Sequence, residues 1–328
     1  MVCLALMQPS AEQLATAWAI FQGLLVEALP FLLIGVTLAT LARAWDPRGR
    51  WLQRLPSGGV AGALTGALLG FALPACECGN VPVARRLLAS GAPLAAAFGF
   101  LFAAPVLNPI VLIATWAAFP DRPWLLLLRP LGSLLIALAV TALLLLLPES
   151  GLLTPDLLAE RRLVQPLGEV SLLERRAGLL GPEAALTPPA APGPPAPAAL
   201  LDHGAREFLE LGALLVLGSG VAALLQTLIP RDLFLALGQA PTLSVLSLML
   251  LALLVSVCSS VDAFLALGFA AQVTPGALLA FLLLGPVIDL KSLSLFGRIL
   301  RPRALAITLA AVALAVLIMG QWLNLALL

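Results

Sequence analysis

The chain has 328 residues, 61% hydrophobic and only 11% charged, with a mean hydropathy of +1.06. A soluble domain carries about a quarter charged residues, so a soluble globular protein is excluded. A net charge of +1 gives no reason to expect nucleic acid as a partner.

A helix needs ~20 apolar residues to cross the hydrocarbon core of a bilayer, and the chain supplies a series of such stretches. Leu14–Leu41 comes first, carrying Glu27 and Pro30. It is too long for a secretory signal and lacks a basic lead, so it reads as a retained membrane helix. An arginine-rich turn (Arg43, Arg48, Arg50, Arg54) leads to the glycine-rich span Gly58–Leu73. Gly91–Phe119 follows, broken in the middle by Pro105-Val-Leu-Asn108-Pro109, and Leu125–Leu147 is apolar almost throughout.

Residues 148–203 change character, with paired arginines (Arg161 and Arg162, Arg175 and Arg176), several carboxylates and the Pro/Ala/Gly run Pro188–Pro197. That composition does not bury a core, and it reads as a mobile linker. Spans resume at Phe208–Ile229, Leu243–Val257, Pro275–Phe296 and Ala304–Leu327. The expected fold is an all-α, polytopic transmembrane bundle of about eight spans. Residues 1–147 and 204–328 would be its two membrane units, with 148–203 joining them.

The second unit repeats the first at its polar positions. Glu27 and Gly35 have the spacing of Glu210 and Gly218; Cys76-Glu77-Cys78-Gly-Asn80 aligns with Cys258-Ser-Ser-Val-Asp262; Pro105-Val-Leu-Asn108 aligns with Pro286-Val-Ile-Asp289. Apolar helices resemble one another by chance, but polar residues inside spans are rare, so duplication is the better explanation. Internal repeats and broken helices are both transporter signatures. Four spans in each unit would put Arg43–Arg54, Arg122, Arg231 and Arg298–Arg303 on one side, the cytoplasmic one. Trp45, Trp51, Trp116 and Trp124 flank the same loops as interfacial anchors. Both termini and the linker would then be extracytoplasmic and the repeats parallel, with Arg85 and Arg86 on the wrong side. A re-entrant Cys-Glu-Cys segment would change both the span count and that relation.

The breaks expose backbone polar groups at membrane depth, which only protein or a water-filled cavity satisfies. The expected substrate-binding residues are therefore Cys76, Cys78, Asn80, Asn108, Cys258, Asp262 and Asp289. Thiolates are soft ligands for Cu(I) and zinc and, by the same reasoning, trivalent arsenic. Against that, cysteine often serves as a small buried hydrophobe. Glu27, Glu77, Glu210 and Lys291 are the expected ion-coupling residues, since charges in spans usually mark ion or proton paths; Asp289 and Lys291 could instead neutralise each other. No phosphate-binding Gly-x-x-x-x-Gly-Lys-Ser/Thr loop is present; the single histidine, His203, is one too few for a His-Glu-x-x-His zinc site and stands at the linker's end, which argues against a His-based triad. No cofactor and no enzymatic activity are expected.

Pro74-Ala-Cys-Glu-Cys-Gly-Asn-Val-Pro-Val-Ala84, Ala104-Pro-Val-Leu-Asn-Pro109 and Cys258-Ser-Ser-Val-Asp-Ala-Phe264 resemble the predicted-permease family of bacterial membrane proteins. That family includes organoarsenical efflux permeases, with a related branch assigned to copper and zinc efflux. The resemblance implies a multi-pass permease of the plasma (inner) membrane and leaves the substrate open. The copper/zinc branch has a different sequence where Pro105–Pro109 stand here, which argues against a metal ion. The expected function is that of a secondary transporter exporting a small solute, a thiophilic one if the cysteines are ligands, with a trivalent organoarsenical as the best-supported example and protons as one coupling ion that the intramembrane carboxylates could serve. The alternatives are a soft-metal (Cu/Zn) exporter and a membrane thiol-redox protein using Cys76 and Cys78.

Overall fold

A computed structural model describes residues 11–46, 51–73, 76–164, 197–228 and 241–327. Cys3, Arg48, Arg50, Arg175, Arg176, Arg231 and the proline-rich run to residue 196 lie outside the described residues. The first unit contains α1 (Ala11–Trp45), α2 (Gly59–Ala72), α3 (Glu77–Ala89), α4 (Leu94–Leu107), α5 (Pro109–Ala118) and α6 (Pro123–Leu144). Two short helices follow, α7 (Glu149–Leu152) and α8 (Pro155–Val164). The second unit contains α9 (Pro197–Leu228), α10 (Pro241–Val255), α11 (Asp262–Leu267), α12 (Pro275–Leu284), α13 (Leu290–Phe296) and α14 (Pro302–Leu327). Among the described residues, five helical stretches are long and apolar enough to cross a membrane: α1, α4 with α5, α6, α9 and α14; α2, α10 and α12 are shorter apolar helices.

Both predicted helix breaks are present, and sequence chemistry explains them. Asn108 ends α4 in an extended conformation and its side-chain oxygen accepts from the Ile110 amide at 2.9 Å, with Pro109 opening α5. Asp289 does the same for α13, accepting from Ser292 N while Ser292 Oγ accepts from Asp289 N, a capping box. Each half-helix thus starts from a residue that satisfies its free amides.

The two units pack in a similar order. In the first unit α4 packs against α2 and α6; in the second α12 packs against α10 and α14. α4 and α12 are the most enclosed helices, buried over nearly their whole length. Without a hydrophobic force between helices in lipid, close approach of small residues holds such a pair. A Cβ added to Gly66 of α2 would lie 2.0 Å from Ala96 O of α4. Gly66→Val should therefore push the two helices apart, costing about 1–3 kcal/mol or more, read as a lower melting temperature of the detergent-solubilised protein.

The two units lie inverted, not parallel as expected. Gly204 of α9 lies against Thr40 of α1, while Gly220 lies against Phe21, so the two helices run antiparallel. The units do not make four complete crossings each. α3 starts at mid-depth and returns toward the end where α1 finishes: Arg86 donates to the Asp46 carbonyl at 2.7 Å. That end gathers Arg43, Arg85, Arg86, Arg161, Arg298 and Arg301, and the positive-inside rule makes it cytoplasmic. Arg85 and Arg86 are thus on the expected side. Arg122, beside Ala270, lies at the other end with Trp116 and Trp124.

Residues 149–164, expected in the linker, are helical and tied to the cytoplasmic end. Arg161 is buried and donates to the Leu88 and Ala92 carbonyls at 2.9 and 2.7 Å. Arg301 N donates to Leu152 O, and Thr154 N to Ile299 O. The chain on both sides of residues 165–196 is therefore cytoplasmic, not extracytoplasmic.

Candidate functional site

The start of α3 and the turn after α10 meet around three groups. The sulfurs of Cys76 and Cys258 and a carboxylate oxygen of Glu77 lie within 4.8 Å of one another, and all three residues are buried. Cys76 is the residue before α3 and Glu77 is the first residue of that helix. Cys258 stands in the turn between α10 and α11, held by the amides of Val261 and Asp262, which donate to its carbonyl at 2.9 and 3.0 Å. Each unit contributes its matching cysteine, as the alignment of the two motifs predicts.

Charged groups surround this trio. Glu27 of α1 reaches the Cys258 thiol. Lys291 Nζ lies 3.7 Å from Asp289 Oδ2, with both side chains inaccessible to solvent, and it also faces Glu77, Cys78 and Cys258. Cys78 points to Cys76 and Lys291 and stays outside the close trio. Both oxygens of the buried Glu77 carboxylate lack a hydrogen-bond donor, as does Glu27 Oε1. A buried acceptor without a donor is costly, so these atoms are suited to taking a proton or a cation.

The other expected residues divide. Asn80 is buried one turn into α3, its amide donating to Cys76 O at 3.0 Å. Asn108 and Asp289 cap half-helices, and only Asp289 is placed by its contacts beside the trio. Asp262 is bound to a residue that the sequence reading missed. Arg129, two turns into α6 and inaccessible, donates to Asp262 Oδ2 at 2.5 Å, to Thr115 Oγ1 at 2.6 Å and to Ser259 O at 3.3 Å. An arginine in an otherwise apolar span needs a counter-charge, and that rule, applied to Leu125–Leu147, points to it. Glu210 is not at the trio: it is exposed and paired with Arg298 at the cytoplasmic end.

The sequence model of a family described as a predicted permease matches residues 13–325. The chain is 34% identical to UPF0718 protein YcgR of Bacillus subtilis, over 84% of this chain and 85% of that protein. It is 31% identical to a Streptococcus mutans protein named as a subunit of a two-component membrane permease complex, over 84% of each. No solved structure matches. A helical membrane bundle with a buried polar site between inverted halves agrees with these similarities, and the chain belongs to the bacterial predicted-permease family, as a multi-pass protein of the plasma membrane.

Proposed function

We propose that this permease exports a small thiophilic solute, with a trivalent organoarsenical as the best-fitting case, and that Cys76, Glu77 and Cys258 hold it. The observation that carries the reading is the trio itself: two thiols and a carboxylate from opposite units, buried together within 4.8 Å. An arsenical carrying two hydroxyls would form two As–S bonds and lose two As–O bonds. The thiol protons leave with the hydroxyls as two waters, so the exchange is redox-neutral, balanced and reversible by water. Glu77 stands where it can pass those protons. Asn80, Cys78, Asp289 and Lys291 would shape the surrounding wall, while Glu27 and Glu77 would carry the coupling protons. The name of the Streptococcus relative makes a second membrane subunit a partner to seek by co-purification.

A mixed sulfur–oxygen donor set also suits zinc, and this is the second reading. Proton release separates the two. A metal ion binds thiolates and must expel their protons, about two for two cysteines, whereas the arsenical expels none. Calorimetry in buffers of different ionisation enthalpy should show no net proton release with phenylarsonous acid. Release on zinc binding, with no binding of the arsenical, would favour the metal. Efflux from vesicles with and without a pH gradient, screened over arsenicals, Cu(I), Zn²⁺ and thiol conjugates, tests the export itself.

A further inference from the structure

The inverted halves are not packed symmetrically. α1 packs on α3 and α9 packs on α13, both in the cytoplasmic half; the contacts that inversion would make equivalent, α9 on α11 and α1 on α5, are not formed to any comparable extent. At residue level, Gly35 of α1 is pressed on Gly79, where a Cβ would lie 2.2 Å from its carbonyl oxygen, and Gly218 of α9 is pressed on Lys291, 3.0 Å from its Cα. By the repeat, the counterpart of Gly79 is Val261 and that of Lys291 is Ile110. These two are 45% and 47% exposed, although their counterparts are buried.

The matched glutamates follow the same asymmetry. Glu27 touches Cys258 at the trio, while Glu210 sits at the cytoplasmic end on Arg298. Exchanging the roles of the halves would bring Glu210 to Cys76 and carry Glu27 outward. It would also cover Val261 with Gly218 and Ile110 with Gly35.

We infer that the antiparallel pair α1/α9 rocks between two packings related by an approximate twofold rotation, so that Glu27 and Glu210 take turns at the central thiols while the site opens to opposite sides of the membrane. The observed packing is closed at the cytoplasmic end by the α1–α3 and α9–α13 contacts. The glycines let the moving helices seat closely on either partner. Inverted repeats make the two packings similar in energy, since each unit performs in one what its counterpart performs in the other. A ligand or proton then needs only modest differential affinity to shift the population. This inference rests on the permease reading and not on the identity of the solute.

Cross-linking in proteoliposomes tests it without any solute. Ser294 Oγ lies 3.2 Å from Leu214 O, so Leu214→Cys/Ser294→Cys marks the observed packing. The repeat-related pair is Phe31→Cys/Ile113→Cys, and Ile113 is 65% exposed. A short bis-thiol reagent should link both pairs, the second accumulating over time as a minor state of roughly 0.1–10% is trapped; peptide mass mapping separates these links from any to native cysteines. Absence of the second link over hours, with the first formed, overturns the inference. A second arm uses phenylarsonous acid. Glu210→Gln should leave its equilibrium binding within about twofold yet slow efflux by at least about tenfold, and Arg298→Gln should retain efflux. Unchanged efflux in Glu210→Gln, or an equal loss in Arg298→Gln, makes Glu210 a partner of the arginine only and also overturns the inference. If the arsenical does not bind at all, the solute reading fails while the cross-links still decide the motion.

Discussion

Replacing Cys76, Cys78 and Cys258 together by serine should abolish binding of a trivalent arsenical while the chain stays folded. A neutral hydroxyl is close in size to a thiol but a poor donor to a soft ion. Loss of an outer-shell partner typically costs about 10–100-fold in metal affinity, and loss of a direct sulfur donor should exceed that. The geometry ranks the single variants. Cys76→Ser and Cys258→Ser each remove a member of the close trio and should be nearly as damaging as the triple change. Cys78→Ser removes a sulfur that faces Cys76 and Lys291 from outside the trio and should cost less. If the three serve only as packing, Cys→Ala would be tolerated and Cys→Ser would lower stability modestly. Titration with phenylarsonous acid and melting temperature, measured on the same variants, separate these outcomes. Full binding by the triple variant would remove sulfur from the mechanism and leave only Glu77, Asp289 and the buried amides.

The breaks and the trio were legible in the sequence because their cause is local. A proline or polar cap inside an apolar run interrupts a helix whatever surrounds it, and Asn108-Pro109 and Asp289 do so in the structure. The duplicated motif then implied that Cys76 and Cys258 occupy equivalent places, which an approximate twofold relation brings together at its centre. The relation itself was not legible. Parallel and inverted repeats have the same residue spacing, and the difference depends on whether Gly59–Ala89 crosses the membrane once or whether α3 returns toward the end where α2 begins. Arg85 and Arg86 carried the correct signal, since only a returning α3 puts them beside Asp46. Glu210 shows the consequence: it has the spacing of Glu27, but an antiparallel α9 places it at the arginine-rich end. The helical part of the expected linker was missed for a different reason. Its arginines look like solvated charges until Arg161 is seen to satisfy the carbonyls at the end of α3.

Arg129→Leu should be the most destabilising single substitution among the buried charges. The guanidinium spans the two units, joining Thr115 of α5 to Asp262 and Ser259 in the second half. Removing one partner of a buried pair leaves the other charge without compensation and typically costs about 3–5 kcal/mol. Asp262→Leu should do similar damage by stranding the arginine. The double variant Arg129→Leu/Asp262→Leu should recover most of the loss, because well-packed apolar groups often replace a buried pair at little cost. Denaturation midpoints for the four proteins give the coupling energy directly; additive losses would mean that the two side chains act independently. Stability restored is not function restored, and that difference is informative. The Asp262 amide donates to the Cys258 carbonyl, so the ion pair anchors the turn that presents the second sulfur. A refolded double variant that binds the arsenical weakly would identify Arg129 as the residue that positions Cys258, whereas full binding would confine the pair to holding the halves together.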